Sequence, residues 1–282
     1  MSQTVMHSTG ESWKELANKK HGLKAGDTVK TMIARMNEIL PFATARGIFD
    51  NGCGTGTIIS HILDTFGGEI PDSARIIAAD FSVHMLKVLG ETKKTRVSMG
   101  NKAWDRLELL NLDAHDLSKI PESSISHVTG GHLYFLLSDA RKALSETQRI
   151  LGLGGVLALS SGKGSQHLDA LQDAVEHIRP GTHLRLTREP WASEEGVRKE
   201  LEDTGFVDVE TFLIESEIQY KDHRDFADTL LLMPVMKNAT EGYGEDERKR
   251  LLDQVVENLR GMNPAAPGTL KGTGIIALAR KI

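Results

Sequence analysis

Cysteine is the first scarcity: the 282 residues hold one, Cys53. That excludes an internal disulfide and any zinc site built from several thiolates. Positive charge is also short, with 34 Lys and Arg against 39 Asp and Glu and a formal net charge of −5. A general nucleic-acid binder is usually basic, with a Lys/Arg stripe. The most apolar run, residues 230–236, is short and broken by Pro234, far below the length of a membrane span. Residues 1–20, MSQTVMHSTGESWKELANKK, have no apolar core of the kind a signal peptide needs. These absences predict a cytoplasmic protein with neither nucleic acid nor membrane as partner. Hydrophobic content of 39% and charged content of 26% are those of an ordinary globular chain, and the length suffices to bury a sizeable core.

What is present is organised around residues 47–59, GIFDNGCGTGTII. A short apolar run ends on Asp50, glycines follow at Gly52, Gly54 and Gly56, and a helical apolar pattern opens. Glycine tolerates positive φ and close backbone approach, so the pattern reads as strand, tight turn and helix N-terminus facing a bound molecule. The nucleotide-binding alternatives separate on detail. A dinucleotide fingerprint needs glycine three past Gly54, where Thr57 stands, and no Gly-Lys-Ser/Thr of a Walker A loop follows.

From residue 47 strand and helix signals alternate, the mark of a doubly wound α/β fold. Strands are expected at 75–80 (RIIAAD), 107–112, 124–131 and 156–161, the last after an LGLGG turn. A long strand follows at 205–220 and a closing one at 272–281, about seven in all with the strand at 47–50. Residues 12–40 read as helical, broken over 22–26; residues 162–192 as two helical pieces and a loop; residues 222–262 as helical. The expected organisation is one domain over 1–282. Residues 1–46 form an N-terminal helical cap, 47–161 the ligand-binding core, 162–192 and 222–262 cap inserts, and 193–221 with 263–282 the rest of the core.

Asp80 ends the second strand, where a carboxylate can accept hydrogen bonds from both ribose hydroxyls of a nucleoside. The third strand ends in NLDAHDL, with Asp113-Ala114 and then Asp116-Leu117, and RILGLGG precedes the fifth strand. Acid-x-G-x-G-x-G, Asp80, the Asp113 segment and the Arg-x-Leu-x-x-Gly-Gly leader, in that order, resemble the class I S-adenosylmethionine-dependent methyltransferases. DNGCGTG, PWASEEGVRKELEDTGF and DFADTLLLMPVM make the chain most similar to the fungal secondary-metabolite small-molecule type, including the kind that caps the thiols of gliotoxin.

The resemblance implies a Rossmann-like seven-stranded class I sheet with a helical cap. It implies S-adenosyl-L-methionine as cofactor, S-adenosyl-L-homocysteine as product, no metal, and a small-molecule acceptor. The cofactor contacts it implies are Asp50, Asn51, Gly52, Cys53 and Gly54 in the turn, Asp80, Phe81 and Met85 after the second strand, Asp113 and Ala114 after the third, and Gly130 in the fourth. Asp113 is expected to accept from the adenine amino group and Met85 to pack on the adenine face.

Transfer to oxygen is expected first, then to sulfur or nitrogen. An alcohol or phenol must lose a proton, which suits a histidine near pH 7, and His132, beyond the fourth strand, is the candidate base. His127 is expected to be buried structure; His167 and His183 fall in the cap insert, where they could face the acceptor, with solvated surface the favoured reading. Trp13, Tyr134, Phe135, Trp191, Met233 and Met236 are the candidates for an acceptor pocket, although each taken singly suits plain core. A different class of function stands beside this one: a non-catalytic methyltransferase-fold partner, or a cyclase that borrows the bound sulfonium for its charge. Thr57 and the Asp113 segment disfavour an NAD-dependent oxidoreductase.

Overall fold

The central strands of the N-terminal half are buried nearly throughout, as strands covered by helices on both faces must be. In the computed structural model, which describes residues 13–17, 26–184 and 189–282, β1 (Gly47–Asn51) has all five residues buried. Its side chains alternate between two cores. Ile48 joins one with Ile76, Ala78, Val156 and Leu278, and Phe49 joins the other with Ile77, Ala79, Leu157 and Ile275.

Two helices precede β1: α1 (Lys14–Ala17) and α2 (Gly26–Ile39). The expected break at 22–26 and its Leu23 lie outside the described residues, apart from Gly26, which opens α2. After β1 come α3 (Thr57–Phe66), β2 (Arg75–Asp80), α4 (Val83–Ser98), α5 (Lys102–Asp105), β3 (Leu107–Asn111), β4 (Ile125–Gly131), α6 (Ala140–Ile150) and β5 (Leu151–Ser165). The chain continues through α7 (Gln166–Ile178), α8 (Glu194–Asp203), β6 (Val207–Tyr220), α9 (His223–Leu231), α10 (Pro234–Ala239), α11 (Glu245–Met262) and β7 (Gly268–Arg280).

The seven strands form one sheet in the order β3-β2-β1-β4-β5-β7-β6. β1 to β5 are parallel, and β7 runs antiparallel to both β5 and β6. The chain builds outward from β1 to β3, then returns to place β4 on the other side of β1. Strand order therefore reverses between β1 and β4, and a crevice opens beyond their carboxyl ends. α2, α3, α4 and α5 contribute to the first core, and α6 and α8 to the second. A third cluster joins α7, α9, α10 and α11 to Tyr220 and Leu270 of β6 and β7. Among the described residues no helix is long and apolar enough to cross a membrane.

The structure corrects three local expectations. LGLGG is not a free turn but the first part of β5: Leu151 pairs with Ile125, Gly154 N–H donates to the Lys281 carbonyl at 2.7 Å, and Lys281 N–H donates to Gly155 at 3.0 Å. Backbone pairing from residues far away in sequence draws the segment into the ladder. β5 runs on to Ser165 because β7 pairs with it as far as Gly272. One helix, α7, stands where two helical pieces were expected, with residues 185–188 outside the description.

Candidate functional site

At the end of β1 the chain turns through Gly52 (φ +65°) and Gly54 (φ +54°) into α3. Both conformations favour glycine, but their surroundings differ. A Cβ on Gly52 would lie 2.6 Å from Leu133 Cδ1, whereas one on Gly54 would meet nothing within 4 Å. Gly54 is thus where backbone borders open space. The turn is stitched to β2: Cys53 N–H donates to the Ala79 carbonyl at 2.9 Å, and Gly54 N–H to Asp80 Oδ2 at 2.8 Å. Asp80 Oδ1 accepts from Ser82 N–H at 2.8 Å, and Ser82 caps α4 by accepting from Met85 N–H. Asn111 Nδ2 bridges the carbonyls of Asp80 and Phe81 at 2.9 Å each. Phe81 is left 40% exposed while Met85, one turn into α4, is buried.

The acids divide into two kinds. Asp50 is wholly buried behind the turn, its oxygens taken by Thr129 Oγ1 at 2.7 Å and Ile59 N–H at 3.2 Å. Burial pushes its carboxyl up to about 7, against both hydrogen bonds and with help from the neighbouring Asp80 charge. Asp50 therefore braces β1, α3 and β4 from inside. Asp80, 7% exposed, is raised by burial against the donors of Ser82 and Gly54. The Cys53 thiol is pushed well up by burial and by the charges of Asp50 and Asp80; it stays protonated and unreactive.

Asp113, just past β3, is 62% exposed in its side chain, and Ala114 is buried beside it. Asp113 Oδ1 accepts the backbone N–H of His115 at 2.9 Å. Desolvation pushes its carboxyl up, but the donors of His115 outweigh that and hold it below its usual value.

Beyond β4 the chain passes into His132, at φ +50°. A non-glycine side chain in the left-handed region is strained and persists where its surroundings hold it. Here its N–H donates to the Ser160 carbonyl at 3.0 Å and to Ser160 Oγ at 3.2 Å. The residue is exposed, yet desolvation by the surrounding protein lowers its pKa, as at the wall of a hollow. Phe135 meets the imidazole edge to face at 5.9 Å.

His127 is buried structure, bonded to Ser126 Oγ and the Leu40 carbonyl and stacked on Phe42. His167 departs from expectation: it is buried at the start of α7, its Nδ1 has no partner among the described residues, and burial together with His132 lowers its pKa to about 4. Its side chain is drawn into the molecule because α7 packs its inner face on α11 and β7. His183 is exposed.

Of the expected pocket residues, Tyr134, Trp191 and Met236 are core. Tyr134 is 1% exposed, bonds Thr147 at 2.9 Å and stacks on Trp191. Ser161 donates to the Trp191 carbonyl, and Met236 is sealed among the helices of the third cluster. Gly130 is needed by that core as well, since a Cβ there would lie 2.6 Å from the Tyr134 ring. Trp13, Phe135 and Met233 keep partial exposure. Trp13 immediately precedes α1, which packs against α4, and its indole Nε1 is buried without a hydrogen-bond partner among the described residues. Sequence reasoning singled out neither Ser160 nor His115: Ser160 meets the His132 N–H through the pairing of β4 with β5, and His115, although it lies inside NLDAHDL, shows its contact with Asp113 only in the folded loop.

Residues 49–159 match the family model described as a methyltransferase domain. The chain is 31% identical over 269 residues to methyltransferase ucsB of Acremonium sp, covering 94% of this chain and 91% of that protein. It is 27% identical over 167 residues to the acetylaranotin bis-thiomethyltransferase of Aspergillus terreus, covering 56% of this chain and 53% of the relative. Among solved structures, the YcgJ protein of Bacillus subtilis superposes with a TM-score of 0.54 at 16% identity, over 89% of this chain and 98% of that one.

Proposed function

The chain belongs to the class I S-adenosylmethionine-dependent methyltransferases, and from that premise we propose that it methylates a hydroxyl or thiol of a small molecule, with His132 taking the acceptor proton. The expectation of oxygen first rests on that histidine; a relative named for thiol methylation puts sulfur beside it. The observation that carries the reading is His132 itself, a strained and exposed residue at the mouth of the crevice between β1 and β4.

Three features support the cofactor's fit. Gly54 offers an open approach, Asp80 is a nearly buried acid at the tip of β2, and Trp13 Nε1 is buried with no hydrogen-bond partner among the described residues. Asp80 would hold the ribose hydroxyls, Phe81 and Met85 would flank the adenine, and Asp113 would accept from its amino group. The bound cofactor supplies a sulfonium whose methyl is already activated for displacement.

The protein's share is position and proton control. Holding the acceptor in line contributes ~7–11 kcal/mol when geometry is good. His132, its pKa lowered, is neutral at pH 7 and keeps a ring nitrogen free to accept the acceptor's O–H or S–H proton. Phe135 packs on that ring and limits its orientation.

The test separates binding from chemistry. Asp80→Ala is expected to weaken S-adenosylmethionine binding by one to two orders of magnitude by calorimetry, on the order of 1.5–3 kcal/mol; unchanged affinity sinks the ribose assignment. His132→Ala is expected to slow transfer to a phenol, in single turnover with metabolite extract or a model acceptor, with cofactor affinity nearly unchanged. An unaltered rate retires the base.

A further inference from the structure

Asp113 Oδ1 receives two hydrogen bonds from one neighbour: the His115 backbone N–H at 2.9 Å and the His115 ring Nδ1 at 2.7 Å. The other end of that ring faces a donor, since Nε2 lies 3.3 Å from the backbone N–H of Asp139, the N-cap residue of α6. A nitrogen that accepts carries no hydrogen, so Nε2 is bare, the ring hydrogen sits on Nδ1, and it is donated to Asp113. The backbone of α6 thereby selects the tautomer that orients the acid. Asp139 is itself fixed, its side chain accepting from Lys142 N–H at 2.9 Å. Asp113 Oδ2 has no protein donor among the described residues.

We infer that His115 is a positioning residue that sets the base specificity of the cofactor site, clamping one oxygen of Asp113 so that the other is presented to an exocyclic amino group. This rests on the reading of Asp113 as the adenine contact. An exposed carboxylate left to itself samples several rotamers, and ordering it costs affinity at the moment of binding. With Oδ1 held twice, that ordering is complete beforehand. Oδ2 then faces the ligand as an acceptor only. Adenine presents an N–H donor at its 6-position, whereas hypoxanthine presents a carbonyl oxygen that a carboxylate repels. A loose Asp113 could swing aside from that oxygen; a clamped one cannot. His115 thus tightens the preferred base and penalises the wrong one.

The experiment titrates the full chain and its variants with S-adenosylhomocysteine and with S-inosylhomocysteine, whose base carries a carbonyl in place of the 6-amino group and a hydrogen on N1. The wild type is expected to favour the adenine compound by tenfold or more. In His115→Ala that ratio falls at least threefold, chiefly through weaker adenine binding. In His115→Asn, whose amide nitrogen occupies the place of Nδ1, it recovers at least in part. A merely structural role would weaken both ligands alike and leave the ratio intact, which would overturn the inference. Asp113→Ala tells the two levels apart. If it keeps the wild-type ratio, the adenine reading of Asp113 is wrong; if it abolishes the ratio while His115→Ala preserves it, that reading stands and the clamp falls.

Discussion

Asp50 is an acid whose burial takes it far from its free state. The pKa of its carboxyl lies near 7 in the folded chain against 3.8 for an ordinary aspartate. Below the lower value both folded and unfolded chains carry the proton and stability is unaffected. Between the two the unfolded chain ionises while the folded one keeps its proton, so stability falls as pH rises, and above about 7 it levels off. Asp50→Asn removes the titration and keeps an oxygen for Ile59 N–H. Its stability relative to wild type is expected to grow across that window, by at most about 4 kcal/mol, in urea unfolding at several pH values. Parallel curves for the two proteins would mean that Asp50 is ionised in the fold. That an acid stands at the end of β1 was legible in the sequence; that it faces inward was not, because Thr129, its partner, lies on another strand. Asp80 shares the strand-end pattern yet leans over the turn, where Gly54 and Ser82 supply donors.

The β1–α3 turn uses its glycines for different ends. Gly56 has φ +90°, and a Cβ there would lie 2.3 Å from Leu89 Cδ1 of α4. Gly56→Ala is expected to destabilise the fold by ~1–3 kcal/mol through overpacking. Gly54→Ala meets no neighbour and costs about 1 kcal/mol of backbone strain, but it fills the open approach and should weaken cofactor binding more than Gly56→Ala does. Urea midpoints and calorimetric affinities on the pair should therefore rank in opposite orders; identical rankings would contradict a division of labour. The parallel strands were legible because each is an apolar run closed by an acid or glycine. LGLGG was not, because a glycine-rich stretch looks like a turn until Lys281 arrives to pair with it. The burial of His167 was equally hidden, since it depends on which face of α7 meets α11 and β7.

At the scale of the whole molecule, a ligand that binds only the folded chain stabilises all of it. At a hundred times its dissociation constant S-adenosylmethionine is expected to add ~2.7 kcal/mol, read as a rise of several degrees in the melting temperature, while NAD at equal concentration leaves it unmoved. A shift with NAD alone would contradict cofactor choice. The strand order has a further consequence for biosynthesis. Among the described residues β6 has one sheet neighbour, β7, which follows it by some fifty positions and lies between β6 and β5. While a ribosome is still translating α9 to α11, β6 is a fourteen-residue strand with nothing to pair to and a free edge on each side, the kind of surface that recruits other chains. A transcript cut short before codon 268 would leave that edge permanently open, so its product should be lost to aggregates or to quality control even though every group proposed to grip the cofactor has already been made.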